Sequence, residues 1–145
     1  MAYGIFEELA ARHMAAHYGV FIKRNWNPGD KDWVAEIDVV GLDLANRVVI
    51  MAEVKAGGLG NLTSSLDKYS GELLERVKSH FSSLGAECGI DFSAWDFRPI
   101  FYVQGSFQPK LEEAIATVPE RKWTVFCLED TLMFDEKPDR FIYSH

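Results

Sequence analysis

The sequence predicts a single α/β domain, a mixed sheet flanked by helices, spanning residues 1–145. Three observations carry that reading. Short β-branched runs alternate with segments of helical period, the pattern of strands and helices in one layered domain. Turn residues stand between the runs. A chain of 145 residues, 48% apolar and 26% charged, has the size and composition of one folded domain with its own core.

Each element has its own signal. Tyr3 to Tyr18 reads as a first helix, stopped by Gly19. Val20 to Trp26 reads as a strand, followed by the turn Asn27-Pro28-Gly29-Asp30. Ala35 to Val40 and Ile50 to Lys55 flank the turn-prone Asp43-Leu44-Ala45-Asn46 and read as a β-hairpin. Residues 56–61 carry three glycines and form a loop, with Thr63, Ser64 and Ser65 as candidate N-caps of the next helix. In that helix Leu66, Tyr69, Leu73, Val77, Phe81 and Leu84 make one apolar stripe. Phe97 to Gln104 and Lys122 to Leu128 read as strands flanking a helix over Pro109 to Val118. The tail, Thr131 to His145, holds a helical turn or an edge strand. The order is αβββαβαβ.

The hairpin is the informative segment. If Leu42 and Arg47 close its turn, Glu36 faces Glu53 and Asp38 faces Met51, with Asp38 diagonal to Glu53. Alternation puts Glu36, Asp38, Glu53 and Lys55 on one face and Ile37, Val39, Ile50, Ala52 and Val54 on the other. Val40, Val49 and Met51 share the charged face, so that face is partly covered rather than simply solvated. Negative charges grouped on a covered face call for a counter-charge, and the one implied is a divalent metal. Asp38 and Glu53 offer hard oxygen ligands for Mg²⁺ or Mn²⁺, and the Val54 carbonyl can be a third. Such an ion activates water and polarises a phosphoryl group. Lys55 then orients the nucleophile or neutralises charge on the phosphate.

These residues also carry a resemblance. Asp38, fourteen intervening residues and Glu53-Val54-Lys55 resemble the D…(D/E)xK signature of the PD-(D/E)XK, or restriction-endonuclease-like, superfamily. Gly4-Ile5-Phe6-Glu7-Glu8, Ala11 and Gly19 resemble the first helix of archaeal Holliday-junction resolvases and of small YraN-type nuclease-like proteins. Arg24-Asn25-Trp26 followed by Glu36-Ile37-Asp38 is similar to the YraN-type pattern, and the NERD domain carries a similar E-I-D…E-x-K hairpin. The resemblance covers about residues 3 to 57, with Ile37 standing where the motif's proline would be. It implies an αβββαβ core and a metal-dependent nuclease acting on nucleic acid, DNA in preference to RNA. Asp38, Glu53, Lys55 and Glu8 are then catalytic, and Asp38, Glu53, Val54 and Glu8 hold Mg²⁺ or Mn²⁺. Glu8 is preferred to Glu7 because Ala11 and Ala15 follow it at helical spacing. Glu36 is either a water-mediated ligand or a rim charge. By resemblance to the resolvases a homodimer is expected.

Composition sets limits on that reading. The net charge of −7 is unusual for a nucleic-acid enzyme. Residues 1–56 hold six Lys/Arg against eight Asp/Glu, so the half with the motif is nearly balanced once a metal is bound. The acidic remainder either faces away from substrate or meets a protein partner, and the alternative function is a nuclease-like module, weak or inactive in catalysis, that acts in protein interaction or regulation. A phosphatase or nucleotide hydrolase is a third reading. No apolar segment is long enough for a membrane span or resembles a signal peptide, so a cytoplasmic protein away from membranes is expected. Cys88 and Cys127 form no C-x-x-C. His13 and His17 read as surface histidines, Lys68, Arg76 and Lys78 as a salt-bridged solvent face, and Trp26 and Trp33 as core or rim rather than base-stacking residues.

Overall fold

A computed structural model describes residues 4–18, 21–28, 36–69, 71–119 and 123–132. Five strands form one mixed sheet: β1 (Phe21–Trp26), β2 (Ile37–Asp43), β3 (Val48–Lys55), β4 (Asp96–Val103) and β5 (Thr124–Cys127). Their spatial order is their chain order. β1, β2 and β3 run as an antiparallel meander, and β4 and β5 add in parallel. Parallel neighbours need crossovers. One passes through α2 (Leu62–Asp67) and α3 (Glu72–Cys88), the other through α4 (Gln108–Ala116). The α/β class, the mixed sheet and the flanking helices are as the sequence predicts.

The two faces of the sheet are covered differently. On one face Val40, Val49, Met51, Phe101 and Val103 pack with Leu66, Leu73, Val77, Phe81 and Leu111 of α2, α3 and α4. On the other, Val39, Ile50, Ala52, Ile100 and Tyr102 pack with Ala10, Ala11 and Met14 of α1 (Ile5–Tyr18). Ile37 joins the first cluster, not the second as strict alternation predicts. The alanines let α1 lie close to the sheet. The buried stripe is Ala10, Ala11 and Met14, whereas Ala15 is exposed.

Three local details differ from expectation. The hairpin turn is Leu44–Arg47, with Asp43 paired to Val48. The buried Asp43 carboxylate stays in the strand and accepts from the Asn46 backbone N–H (3.1 Å) and Asn46 Nδ2 (2.8 Å). Arg47 takes a left-handed φ of 58° to close the loop. The register therefore shifts by two residues, which preserves the faces but changes the partners. The single helix expected after the glycine loop is two, with Lys68 and Tyr69 between them. Leu84 is exposed, and Gly85 takes the buried place next to Ile90 and Phe92. Gly29, Asp30, Trp33 and residues 133–145, named in the sequence reading, lie outside the described residues, as does the side chain of His17. Among the described residues, no helix is long and apolar enough to cross a membrane.

Candidate functional site

The hairpin strands bring the expected carboxylates together more directly than the sequence reading supposed. The ladder pairs Val39 with Ala52 and Val40 with Met51, so one step further on Asp38 stands across from Glu53. Glu36 is correspondingly across from Lys55, not Glu53. Asp38 Oδ2 accepts the Val54 N–H at 2.8 Å. A strand residue's N–H and C=O lie on the same side of the chain, so the Val54 carbonyl also faces the Asp38 side. Lys55, half-buried, follows Glu53 on the same face, at the end of β3 beside Val103 of β4.

Glu53 is held by two side chains that the sequence reading assigned elsewhere. It is 5% exposed, and its Oε1 accepts from Lys68 Nζ (2.5 Å) and Tyr69 Oη (2.7 Å). Lys68 Nζ also donates to the Glu36 carbonyl oxygen at 2.5 Å. Lys68 was expected on a solvent face and Tyr69 on a purely apolar stripe. Both are donors to the site because Lys68 caps α2 at the end of β2 and β3, and Tyr69 follows it on the buried stripe. The signal available in sequence was Gly71, a helix breaker three residues after Lys68. The counter-charge expected from a metal is thus supplied, in part, by Lys68.

Burial dominates the electrostatics. It raises the Glu53 carboxyl above the usual carboxylate range, reinforced by the negative charge of Asp38 and opposed by Lys68 and Tyr69. Burial likewise raises Asp38, with the Val54 N–H, Lys68 and Lys55 pulling the other way and Glu36 adding to the rise. The Tyr69 phenol, buried and facing Glu53, is pushed well above its ordinary value of 10.0, so it stays a donor. Two neighbouring acids so perturbed mark this end of the hairpin as a candidate functional site.

Helix α1 carries Glu7 and Glu8 side by side, and Glu7 is the one in line with its buried stripe. Glu7, Ala10, Ala11 and Met14 follow one another at i, i+3, i+4 and i+7, so Glu7 continues the sheet-facing stripe. Its carboxyl is raised by burial and by the charge of Asp38, against a hydrogen bond from the Gly4 backbone. Its Oε2 is buried without a hydrogen-bond partner among the described residues. Glu8 Oε1 is engaged by Arg12 at 3.0 Å. Met14, not Ala15, was the residue that marked the stripe.

The remaining candidates fall elsewhere. His13 is not a surface residue: it is half-buried, its Nδ1 2.9 Å from Tyr102 Oη, with its ring against Phe126. Arg76 pairs with Glu72 at 3.0 Å, and Lys78 lies over the Phe97 ring. Trp26 packs on His80 and Phe81. After β3, Gly57 N–H donates to Gln104 Oε1 at 2.6 Å, tying the glycine loop to the end of β4.

Among the described residues no three His, Cys, Asp or Glu side chains are already grouped as a metal site. The nearest approach to a donor set is two hard carboxylates, Asp38 and Glu53, with the Val54 carbonyl, while Glu7 stands on the α1 face of the sheet, close enough to feel the charge of Asp38. All are oxygen donors of the type Mg²⁺ and Mn²⁺ take, with waters completing the shell. Compared with protein-family models, with curated proteins and with solved structures, the chain matches none.

Proposed function

We propose that the β2–β3 site is a divalent-metal-dependent phosphodiesterase centre that hydrolyses nucleic acid, DNA in preference to RNA, on a restriction-endonuclease-like domain. The observation that supports the proposal is the juxtaposition of half-buried Asp38 and buried Glu53 one step beyond the last pair of the β2–β3 ladder, with Lys55 next on the same face. Lysines at hand distinguish this arrangement from a merely acidic surface. Asp38, Glu53 and the Val54 carbonyl would hold Mg²⁺ or Mn²⁺, and Glu7 replaces Glu8 as the auxiliary acid. The ion would supply an activated water and charge neutralisation at phosphorus.

The chain's own residues set the rest of the chemistry. Lys55 places an ammonium beside the carboxylates, where it can align an attacking water and offset charge growing on a phosphate oxygen. The Val54 N–H fixes the orientation of Asp38. Tyr69 fixes that of Glu53, so neither ligand has to be ordered when substrate arrives. The net charge of −7 leaves few basic groups for the backbone, so duplex affinity is modest.

One observation favours a second reading. Lys68 already neutralises Glu53, as it would in a nuclease-like module that has given up metal and serves in protein interaction. A cleavage panel separates the two: branched, duplex and single-stranded DNA, RNA and mononucleotides, each with Mg²⁺, Mn²⁺ or chelator. Metal-dependent cleavage of a polymer that disappears in Lys55→Ala supports the phosphodiesterase. Undiminished cleavage in that variant, or none with any substrate, overturns it, and cleavage confined to mononucleotides assigns the site to a nucleotide hydrolase.

A further inference from the structure

Lys68 belongs to neither of the helices it separates. α2 ends at Asp67 and α3 begins at Glu72. Its side chain nevertheless turns inward and is 22% exposed, whereas lysines as a class stay in water. The ammonium bridges β2 and β3, donating to the Glu36 carbonyl on one and to Glu53 Oε1 on the other. Tyr69 Oη donates to the same Glu53 oxygen, so that atom carries two donors. Its charge also acts on Asp38, so the ammonium and a cation held by Asp38 and Glu53 would compete for the Glu53 oxygen.

An ammonium and a divalent cation cannot both lie within a few ångströms of one poorly solvated carboxylate without strong repulsion. One must leave. Lys68 is the mobile partner on physical grounds, since it is a long, flexible side chain at the C-cap of the six-residue α2. That unit is preceded by Gly57 and Gly60, both left-handed and with open space about them, and is followed by Gly71. Leu59, Leu66 and Tyr69 anchor that unit in the core, so the movement required is of the Lys68 side chain alone.

We propose that Lys68 is a built-in competitor for the divalent cation, holding Glu53 until the ion enters and swinging off it toward solvent when the ion binds. The inference rests on the metal-dependent reading of the site and adds a control to it. Lys68 keeps the carboxylates compensated in the metal-free protein and sets the ion concentration at which the site fills. Once released, its ammonium stands at the rim of the same site, beside Glu36.

Two measurements on the full chain test this without recourse to activity. The first is amine acetylation of wild-type protein, with and without Mn²⁺, read at Lys68 by mass spectrometry. The second is calorimetric Mn²⁺ titration of wild type and Lys68→Gln. Labelling of Lys68 should rise several-fold with Mn²⁺, and the variant should bind Mn²⁺ about tenfold more tightly or better. Wild type that binds Mn²⁺ with Lys68 labelling unchanged overturns the inference, whatever the variant does, and leaves the metal reading standing. A variant that folds and binds no more tightly than wild type overturns it equally. Absence of Mn²⁺ binding in both proteins overturns the metal reading and this inference with it.

Discussion

Asp38 and Glu53 sit across from each other, yet they are compensated differently, and substitution should tell them apart. Asp38 accepts one backbone N–H, which the carbonyl oxygen of an asparagine accepts as well. Asp38→Asn therefore removes repulsion with Glu53 at little cost and should leave the metal-free fold unchanged or slightly more stable. Glu53→Gln leaves Lys68 in a poorly solvated place without its anion and weakens the Tyr69 bond, for a loss of about 1–3 kcal/mol. Urea denaturation in chelator measures both, and equal effects would contradict the described geometry. At this scale Asp38, Glu53 and Lys55 were legible from strand alternation alone, because period two survives a register error of two. Glu7 and Lys68 were not. Choosing Glu7 over Glu8 needed the buried stripe of α1, where adjacent glutamates differ by only one position. Lys68 could be placed only by knowing that the end of α2 sits against the ends of β2 and β3.

The elements show why the helical stripe was read as continuous. Leu66, Tyr69, Leu73, Val77 and Phe81 are all buried, so the apolar period runs straight through the break between α2 and α3. Periodicity reports which side faces the core, not whether the backbone is helical at each step. The far end of α3 failed for a related reason. The expected Leu84 gives way to Gly85, where the chain folds back through Gly89, left-handed at φ 77°, and brings Ile90 and Phe92 against the helix. A Cβ at Gly85 would stand 2.1 Å from the Ile90 carbonyl oxygen, which is backbone and cannot step aside. Gly85→Ala should therefore destabilise by about 2 kcal/mol or more, despite its better helix propensity. A melting curve checks it, and a stabilised variant would refute the close approach. The hairpin erred only in its turn, since Asp43 was counted as a loop residue although its side chain caps the turn from within β2.

For the whole molecule the central acids govern the response to pH. Asp38, Glu53 and Glu7 all hold their protons more tightly than free carboxyls, for which 3.8 and 4.5 are the ordinary values. The folded state then binds more protons than the unfolded one between those values and the raised ones, so these groups lower stability as pH rises through that window. Their penalty is full above the raised values and absent below the ordinary ones. Urea midpoints taken from neutral pH downward should fall off less steeply with acid in wild type than in Asp38→Asn, which loses one such proton site. An identical pH profile for the two proteins would show that Asp38 is not so perturbed. A cation bound between the same acids should remove the penalty at neutral pH without any proton. The most direct measurement of the site's purpose is therefore the melting temperature of wild type and Asp38→Asn in chelator and in Mn²⁺. Wild type should be stabilised by about 1.4 kcal/mol at a tenfold excess of Mn²⁺ over its dissociation constant, and Asp38→Asn should lose nearly all of that gain. A wild-type melting temperature indifferent to millimolar Mn²⁺, or a rise equal in both proteins, would contradict a metal site at Asp38 and Glu53.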